Sequence, residues 1–344
     1  MKLSICIPAY GRHRQLEELM ASIAIAAAAA GDLWQDIEVV VSDNASIPPL
    51  SVALGLIKPP VRLSLIRHEC NQGAARNFIA SVQAAKGDYC WWMGSDDLLP
   101  EHALIEIHNR VRRATDVSLW VFDRTDWHEK SGRRLRRRWY KDMPEGAEYD
   151  LSERAELGRL ADDSLGLGGL FSFLGSLVFK RSAVGLESIP EAIFHTAYPH
   201  VYVLLRARPR LMCNLPPIVH CRIGDDSFAQ RSALRRLLLD VEGYEAVSNA
   251  LGLEELSCRK VGSAIARELV ANYFKTAINT LNLFMRSNSG DRNRMKNWLG
   301  GQTTIPPSIK QIASLPEWLL ALAAKMYSLK RRDHEMLASA PTII

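Results

Sequence analysis

Residues 89–100 read YCWWMGSDDLLP: five apolar residues, then Gly94, Ser95, the adjacent pair Asp96–Asp97, and Pro100. The apolar run has the character of a buried strand, and two carboxylates directly after it repel each other unless a cation lies nearby. Pro100 keeps a simpler reading open, in which the pair merely starts a helix. The neighbouring sequence decides what kind of strand this is.

Upstream, LSICIPAY (3–10), IEVVVSD (37–43) and VRLSLIRH (61–68) read as strands, with helical spacing of apolar residues over 15–30 and 74–85. Downstream, 101–113 reads as a helix and DVSLWVFD (116–123) as a strand. This alternation predicts an α/β fold with a mostly parallel central sheet sandwiched by helices. Ligands of such sheets bind outside the carboxyl ends of the strands. The strand ends here are Pro8–Arg12, Asp43–Ser46, Arg67–Gly73 and Gly94–Asp97, all rich in Gly, Asn, Asp and Arg.

Beyond Asp142 the pattern loosens. A strand is expected over 174–179, a helix over 196–208, and a helical C-terminal extension from about 228, so that 1–225 and 226–344 form separate regions. Residues 287–309, polar and Gly-rich, read as a loop, and Trp318–Arg332 as an amphipathic basic helix.

With 344 residues, 47% apolar and 24% charged, the chain has the composition of a soluble globular protein, neither disordered nor fibrous. The net charge of +5 is unevenly placed: RRLRRRWYK (133–141) holds six basic residues and no acid. That segment is either a solvated loop or a contact for a phosphate, a membrane surface or nucleic acid. The six cysteines show no CxxC spacing, which fits a reducing compartment. No leader is visible, and the longest apolar run, 19–30, is too short to span a bilayer. A cytoplasmic protein, at most peripheral on the inner membrane face, is the expectation.

Neither GxGxxG nor GxxxxGK[ST] occurs, so a phosphate-bearing ligand would be handled by a metal ion and scattered basic residues. Asp96–Asp97 suits Mg²⁺ or Mn²⁺ shared with a diphosphate.

Four segments together resemble the family-2 glycosyltransferases of GT-A fold: SICIPAYGR (4–12), VVVSDNAS (39–46), NQGAARN (71–77) and GDYCWWMGSDDLLP (87–100). Within that family the chain is similar to the abequosyltransferase-like O-antigen enzymes, on Arg76-Asn77-Phe78 and the Gly94–Asp97 end. The resemblance covers the first third of the chain and thins after Asp123. It implies a nucleotide-sugar-binding half over 1–125 and an acceptor half over 126–225. The donor site it implies comprises Pro8, Ala9, Tyr10, Arg12, Asp43, Asn44, Gly73, Arg76, Asp96 and Arg222, with the metal on Asp96 supported by Asp97. Asp43 also reads as an Asx-turn residue and Arg76 as a surface ion-pair partner.

There are departures. Gly94 replaces the first Asp of the commoner DxDD pattern, and TAYPHVYVLL stands where many members carry a Glu-Asp pair. His200 then occupies the place of the catalytic base, with Asp97 beside the reacting groups and His195 a second candidate; His200 also reads as a helix-start packing residue. In IVHCRIGDDSFAQ, Arg222 and Ser227 match a diphosphate segment, Gly224 stands where its His would be, and His220 or Asp225 could substitute. The implied reaction is metal-dependent transfer of a sugar from a nucleotide-diphosphate sugar to a saccharide or lipid-linked acceptor, with inversion. Two rivals stand beside it. One is a non-catalytic protein of the same fold. The other is a nucleic-acid binder using 133–141, which leaves the polar strand ends unexplained.

Overall fold

The computed structural model describes residues 1–51, 61–129, 131–223, 233–323 and 325. Gly224, Asp225, Ser227 and residues 326–332 of the expected terminal helix lie outside them. The chain divides into two compact units, Met1–Asp226 with Glu242–Ala264, and Ser227–Val241 with Ile265–Ile344.

In the first unit the chain alternates β1 (Lys2–Ala9), α1 (His13–Ala30), β2 (Asp36–Asp43), β3 (Arg62–Arg67), α2 (Ala74–Gln83), β4 (Tyr89–Trp92), α3 (Ala103–Arg113) and β5 (Leu119–Phe122). It continues through β6 (Arg124–His128), β7 (Arg133–Arg137), β8 (Ala147–Asp150), α4 (Glu156–Asp163), β9 (Leu177–Lys180), α5 (Glu191–Phe194), α6 (Pro199–Arg206), β10 (Arg210–Leu215) and β11 (His220–Arg222). An eight-stranded sheet has the order β3-β2-β1-β4-β9-β5-β10-β8, and a small sheet the order β11-β6-β7. Strands β3, β2, β1 and β4 are mutually parallel, while β9 inserts antiparallel between β4 and β5. The expected GT-A-type α/β sandwich is what forms.

Strand periodicity sorts the core. Leu3, Ile5, Ile7 and Ala9 join Trp91 and the apolar faces of α1 (Leu16, Leu19, Ile23) and α3 (Leu104, Ile107, Val111) in one buried cluster. Trp92, next in the strand, points to the other face, where its indole N–H donates to the Phe78 carbonyl of α2 at 3.2 Å. Asn77 fixes α2 to the strand ends, donating to the carbonyls of Ala9 and Ser42 at 3.3 and 3.0 Å and accepting from the Ser42 hydroxyl at 2.6 Å.

Two expectations change. The basic segment is not a loop: Arg133–Arg137 is β7, an exposed strand paired antiparallel with β6, because the partner strand outweighs its charge. Trp139 and Tyr140 are buried, and Trp139 donates to the Phe122 carbonyl at 2.7 Å. The rings that suggested nucleic-acid stacking are therefore core. Residues 287–309 are likewise not a loop, since Ser289–Gly301 is helical. The Asn288 side chain caps it by accepting from the Asp291 N–H at 2.8 Å, and Met295, Trp298 and Leu299 supply a buried stripe at helical spacing.

Helices α7 (Ala233–Leu251) and α8 (Glu255–Asn272) contribute residues to both units. The second unit also holds α9 (Ala277–Met285), α10 (Ser289–Gly301) and α11 (Pro307–Ala313), with α11 packed on α9 and α10. Among the described residues, no helix is long and apolar enough to cross a membrane.

Candidate donor site at the strand ends

Parallel register sets the site. Ala9, Asp43 and Arg67 are register partners across β1, β2 and β3, and the Met93 N–H just past β4 bonds to the Cys6 carbonyl at 2.9 Å. The four polar segments therefore emerge along one edge, as parallel βαβ geometry requires.

At β1, Pro8 and Ala9 are buried and Tyr10 is exposed. The Gly11 N–H donates to Ser46 Oγ at 2.9 Å, and Arg12 pairs with Asp96. At β2, Asp43 is wholly buried and its acceptors are taken: Oδ1 receives the Ser46 N–H at 2.8 Å, and Oδ2 the Leu50 N–H at 3.3 Å and the Arg67 guanidinium. Burial pushes its pKa up, but these bonds outweigh burial and hold the carboxyl below its ordinary value. Asn44 ties in the next loop, accepting from the Gln72 N–H at 2.9 Å and donating to Asn71 Oδ1 at 2.9 Å and the Gly73 carbonyl at 3.3 Å. Gly73 precedes α2 with φ 85°, a left-handed value that favours glycine. Arg76 pairs with Glu191 of α5 and lies over the Phe194 ring at 4.3 Å.

At β4 the turn is different. Asp97 is buried and accepts the Arg222 N–H at 3.3 Å. Burial and the neighbouring charge of Asp96 raise its pKa to about 7, against smaller lowering by Arg124, the Arg222 N–H and Cys221. Asp96 is about a quarter exposed. Gly94 packs against the pair: a Cβ at this position would sit 2.8 Å from Asp97 Oδ2 and 3.2 Å from Asp96 Oδ1, so a larger residue would have to displace a carboxylate. The turn is stitched to β11 by reciprocal Leu98–His220 backbone bonds of 3.0 and 2.8 Å.

The glycosyl transferase family 2 model matches residues 4–166. Abequosyltransferase RfbV of Salmonella typhimurium is 30% identical over 266 residues, 76% of this chain and 78% of its own. The chain belongs to glycosyl transferase family 2. Crystal structures of S. aureus TarS 1-349, with UDP and with UDP-GlcNAc, share the fold at TM-scores of 0.56 and 0.57. They are 16% and 15% identical, covering 87% and 91% of this chain and 79% and 84% of theirs.

Within this glycosyltransferase, Arg222 and His200 are both buried, and for His200 this is the helix-start packing place that the sequence also allowed. The Arg222 side chain is 4% exposed and held by Glu18 and Glu129, with Nε on the Asp96 carbonyl at 3.2 Å and the guanidinium 4.9 Å over Trp127. It clamps the Asp96–Asp97 turn from behind. His200, second residue of α6, is 1% exposed among Phe78, Trp92 and Tyr198, with neither ring nitrogen hydrogen-bonded. Burial lowers its pKa to about 4, against a weaker opposing pull from the backbone of Ser172 and Phe171. His195 is exposed beside Glu191 at 3.8 Å.

Sequence reasoning missed Glu18, Glu129 and Arg124. Arg124 bonds Asp126 at 2.7 Å, stacks over Phe173 at 4.4 Å, and is the main positive influence on Asp97. No local motif marks these residues, because Glu18 comes from α1 while Arg124 and Glu129 come from β6 and its end, and only the fold brings them to the turn.

Proposed function

We propose that this family-2 glycosyltransferase takes its sugar from a nucleotide-diphosphate donor bound along the edge formed by β1, β2, α2 and β4. The observation that carries the reading is the Asp96–Asp97 turn, where burial and then the adjacent carboxylate raise Asp97 at the end of a parallel strand. The relative's name and the UDP and UDP-GlcNAc complexes of TarS support a nucleotide-sugar donor.

The turn fits a divalent cation. Among the described residues no group of three His, Cys, Asp or Glu forms a closed site. Mg²⁺ and Mn²⁺ characteristically take one or two carboxylates and complete their shell with water and substrate phosphates. Asp96 would be the ligand and Asp97 its support; the cation would supply positive charge to stabilise the departing nucleoside diphosphate. Gly94 leaves room for the two carboxylates, and Arg222 fixes the backbone of Asp96. Tyr10, exposed at the end of β1, offers a ring to the nucleoside, and Arg76 a guanidinium once it leaves Glu191.

The acceptor hydroxyl must lose a proton, and His200 is the residue assigned to accept it. A pKa near 4 keeps its ring neutral at pH 7 but makes it a weak base while buried, so the assignment requires that substrate binding expose the ring and raise its basicity. His200→Phe tests the assignment: a base predicts a loss of about 10²-fold or more in kcat with the fold retained. Near-normal activity would make it packing. Inversion at the anomeric carbon, a lipid-linked or polysaccharide acceptor in cell-surface glycan synthesis, and docking on an anionic inner membrane face through β7 complete the reading. The donor is tested by thermal shift against UDP, CDP, GDP and dTDP with and without Mn²⁺. One nucleotide raising Tm with metal supports the reading; no shift from any of them sinks it.

A further inference from the structure

The arginines around the strand ends differ in what holds them. Arg222 is buried between Glu18 and Glu129, Arg67 holds Asp43, and Arg76 is held by Glu191. Arg12 instead lies on Asp96, the carboxylate available to a divalent cation, and both side chains are about a quarter exposed. The backbone delivers it there deliberately. Gly11 and Arg12 are consecutive left-handed residues at φ 63° and 58°, and the Gly11 N–H is anchored to Ser46 Oγ at 2.9 Å. A left-handed arginine is disfavoured, and such conformations persist where the surroundings impose them, often at ligand clamps. In the sheet β1 lies between β2 and β4, so Arg12 stands between the Asp43 loop and Asp96. A diphosphate running from a nucleoside over β1 and β2 to a cation on Asp96 passes it.

Resting on the donor reading above, we propose that Arg12 is a counter-ion latch: it neutralises Asp96 in the free protein and moves to the donor diphosphate, releasing Asp96 to the divalent cation. Guanidinium and cation compete for the same carboxylate, so the free protein binds the cation weakly. The diphosphate offers Arg12 a charge-assisted, bidentate alternative. Donor and cation therefore favour each other's binding through Arg12, in addition to any direct contact between them, and the coupling is reciprocal.

The test is Mn²⁺ binding followed by its EPR signal, in the intact chain and in Arg12→Gln and Arg12→Lys, each alone and with UDP, CDP, GDP or dTDP. Melting curves confirm that the variants fold. Arg12→Gln is expected to raise nucleotide-free Mn²⁺ affinity about two- to fivefold, the range of a part-exposed ion pair. It should weaken nucleotide binding in the presence of Mn²⁺ about tenfold. Arg12→Lys keeps the charge and should fall between on both counts; it carries the test alone if the Gln variant does not fold. Unchanged nucleotide-free affinity, in a protein whose intact form binds Mn²⁺, overturns the latch and leaves the donor reading standing. No Mn²⁺ binding by any of the three proteins under any condition overturns both.

Discussion

Asp43 and Asp97 are both buried at the ends of strands in the same parallel half-sheet, yet their environments push them in opposite directions. At β2 the backbone N–H groups of Ser46 and Leu50 and the Arg67 guanidinium fill the acceptors of Asp43, and its pKa is lowered despite burial. At β4 burial is joined by Asp96, and Arg124, Cys221 and one N–H from Arg222 do not offset the two, so Asp97 rises to about 7. A buried carboxylate whose acceptors are satisfied belongs to the framework. One left with excess negative charge marks a place where a cation is expected. The difference separates a carboxylate whose acceptors the protein already fills from a pair left with excess negative charge.

The largest expected effect is at Asp96. Asp96→Ala should reduce kcat/KM about 10³-fold or more, while its melting curve stays within about 1 kcal/mol of the intact chain because the Arg12 pair is part-exposed. Normal turnover would remove the contrast between the two strand ends. Asp43→Ala should behave the other way, losing about 2–4 kcal/mol in urea unfolding as buried donors and a guanidinium lose their acceptor. If that variant instead melts normally and loses only nucleotide affinity, Asp43 is a ligand contact rather than framework.

Gly94→Ala sharpens the β4 side. With a Cβ 2.8 Å from Asp97 Oδ2, it should lower stability by about 1–3 kcal/mol, as forced overpacking does. Differential scanning calorimetry would measure this, and an unperturbed Tm would mean the turn can yield.

The smallest effect is the pH slope. Asp97 has a folded pKa near 7 against an ordinary 3.8, so between those values the folded chain holds a proton that the unfolded chain has lost. Its stabilising contribution is present below pH 4 and lost as pH rises to 7. Asp97→Asn should therefore gain Tm relative to the intact metal-free chain as pH climbs from 5 to 7, by about 2 °C or more. His200 runs in the opposite sense: its pKa is lowered to about 4 from 6.5, so its contribution is present above pH 6.5 and lost as pH falls. A flat difference between Asp97→Asn and the intact chain would show that burial and Asp96 do not raise the β4 carboxyl.

The first half of the chain was legible because its architecture is local. Strand, helix and strand follow one another from Lys2 to Trp92, and each strand is marked by its own apolar run and closed by a short polar motif. Parallel pairing then has one way to bring those motifs to a common edge, and the family resemblance of the motifs is what singled out Asp43, Arg76 and Asp96 within them. The second half lacks that property. Arg222 reaches Asp97 across 125 positions, and β9 pairs with β4 from nearly ninety residues downstream, roughly as far as Cys90 lies from Phe179. The sequence alone determined the fold class, the chain of motifs and the carboxylate pair. Tertiary structure decided that Arg222 is buried between Glu18 and Glu129, that His200 is buried among aromatic rings, that Trp139 is core, and that Arg12 pairs with Asp96. Burial and ion pairing depend on which distant elements pack against a residue, and no local pattern of apolar and polar positions carries that information.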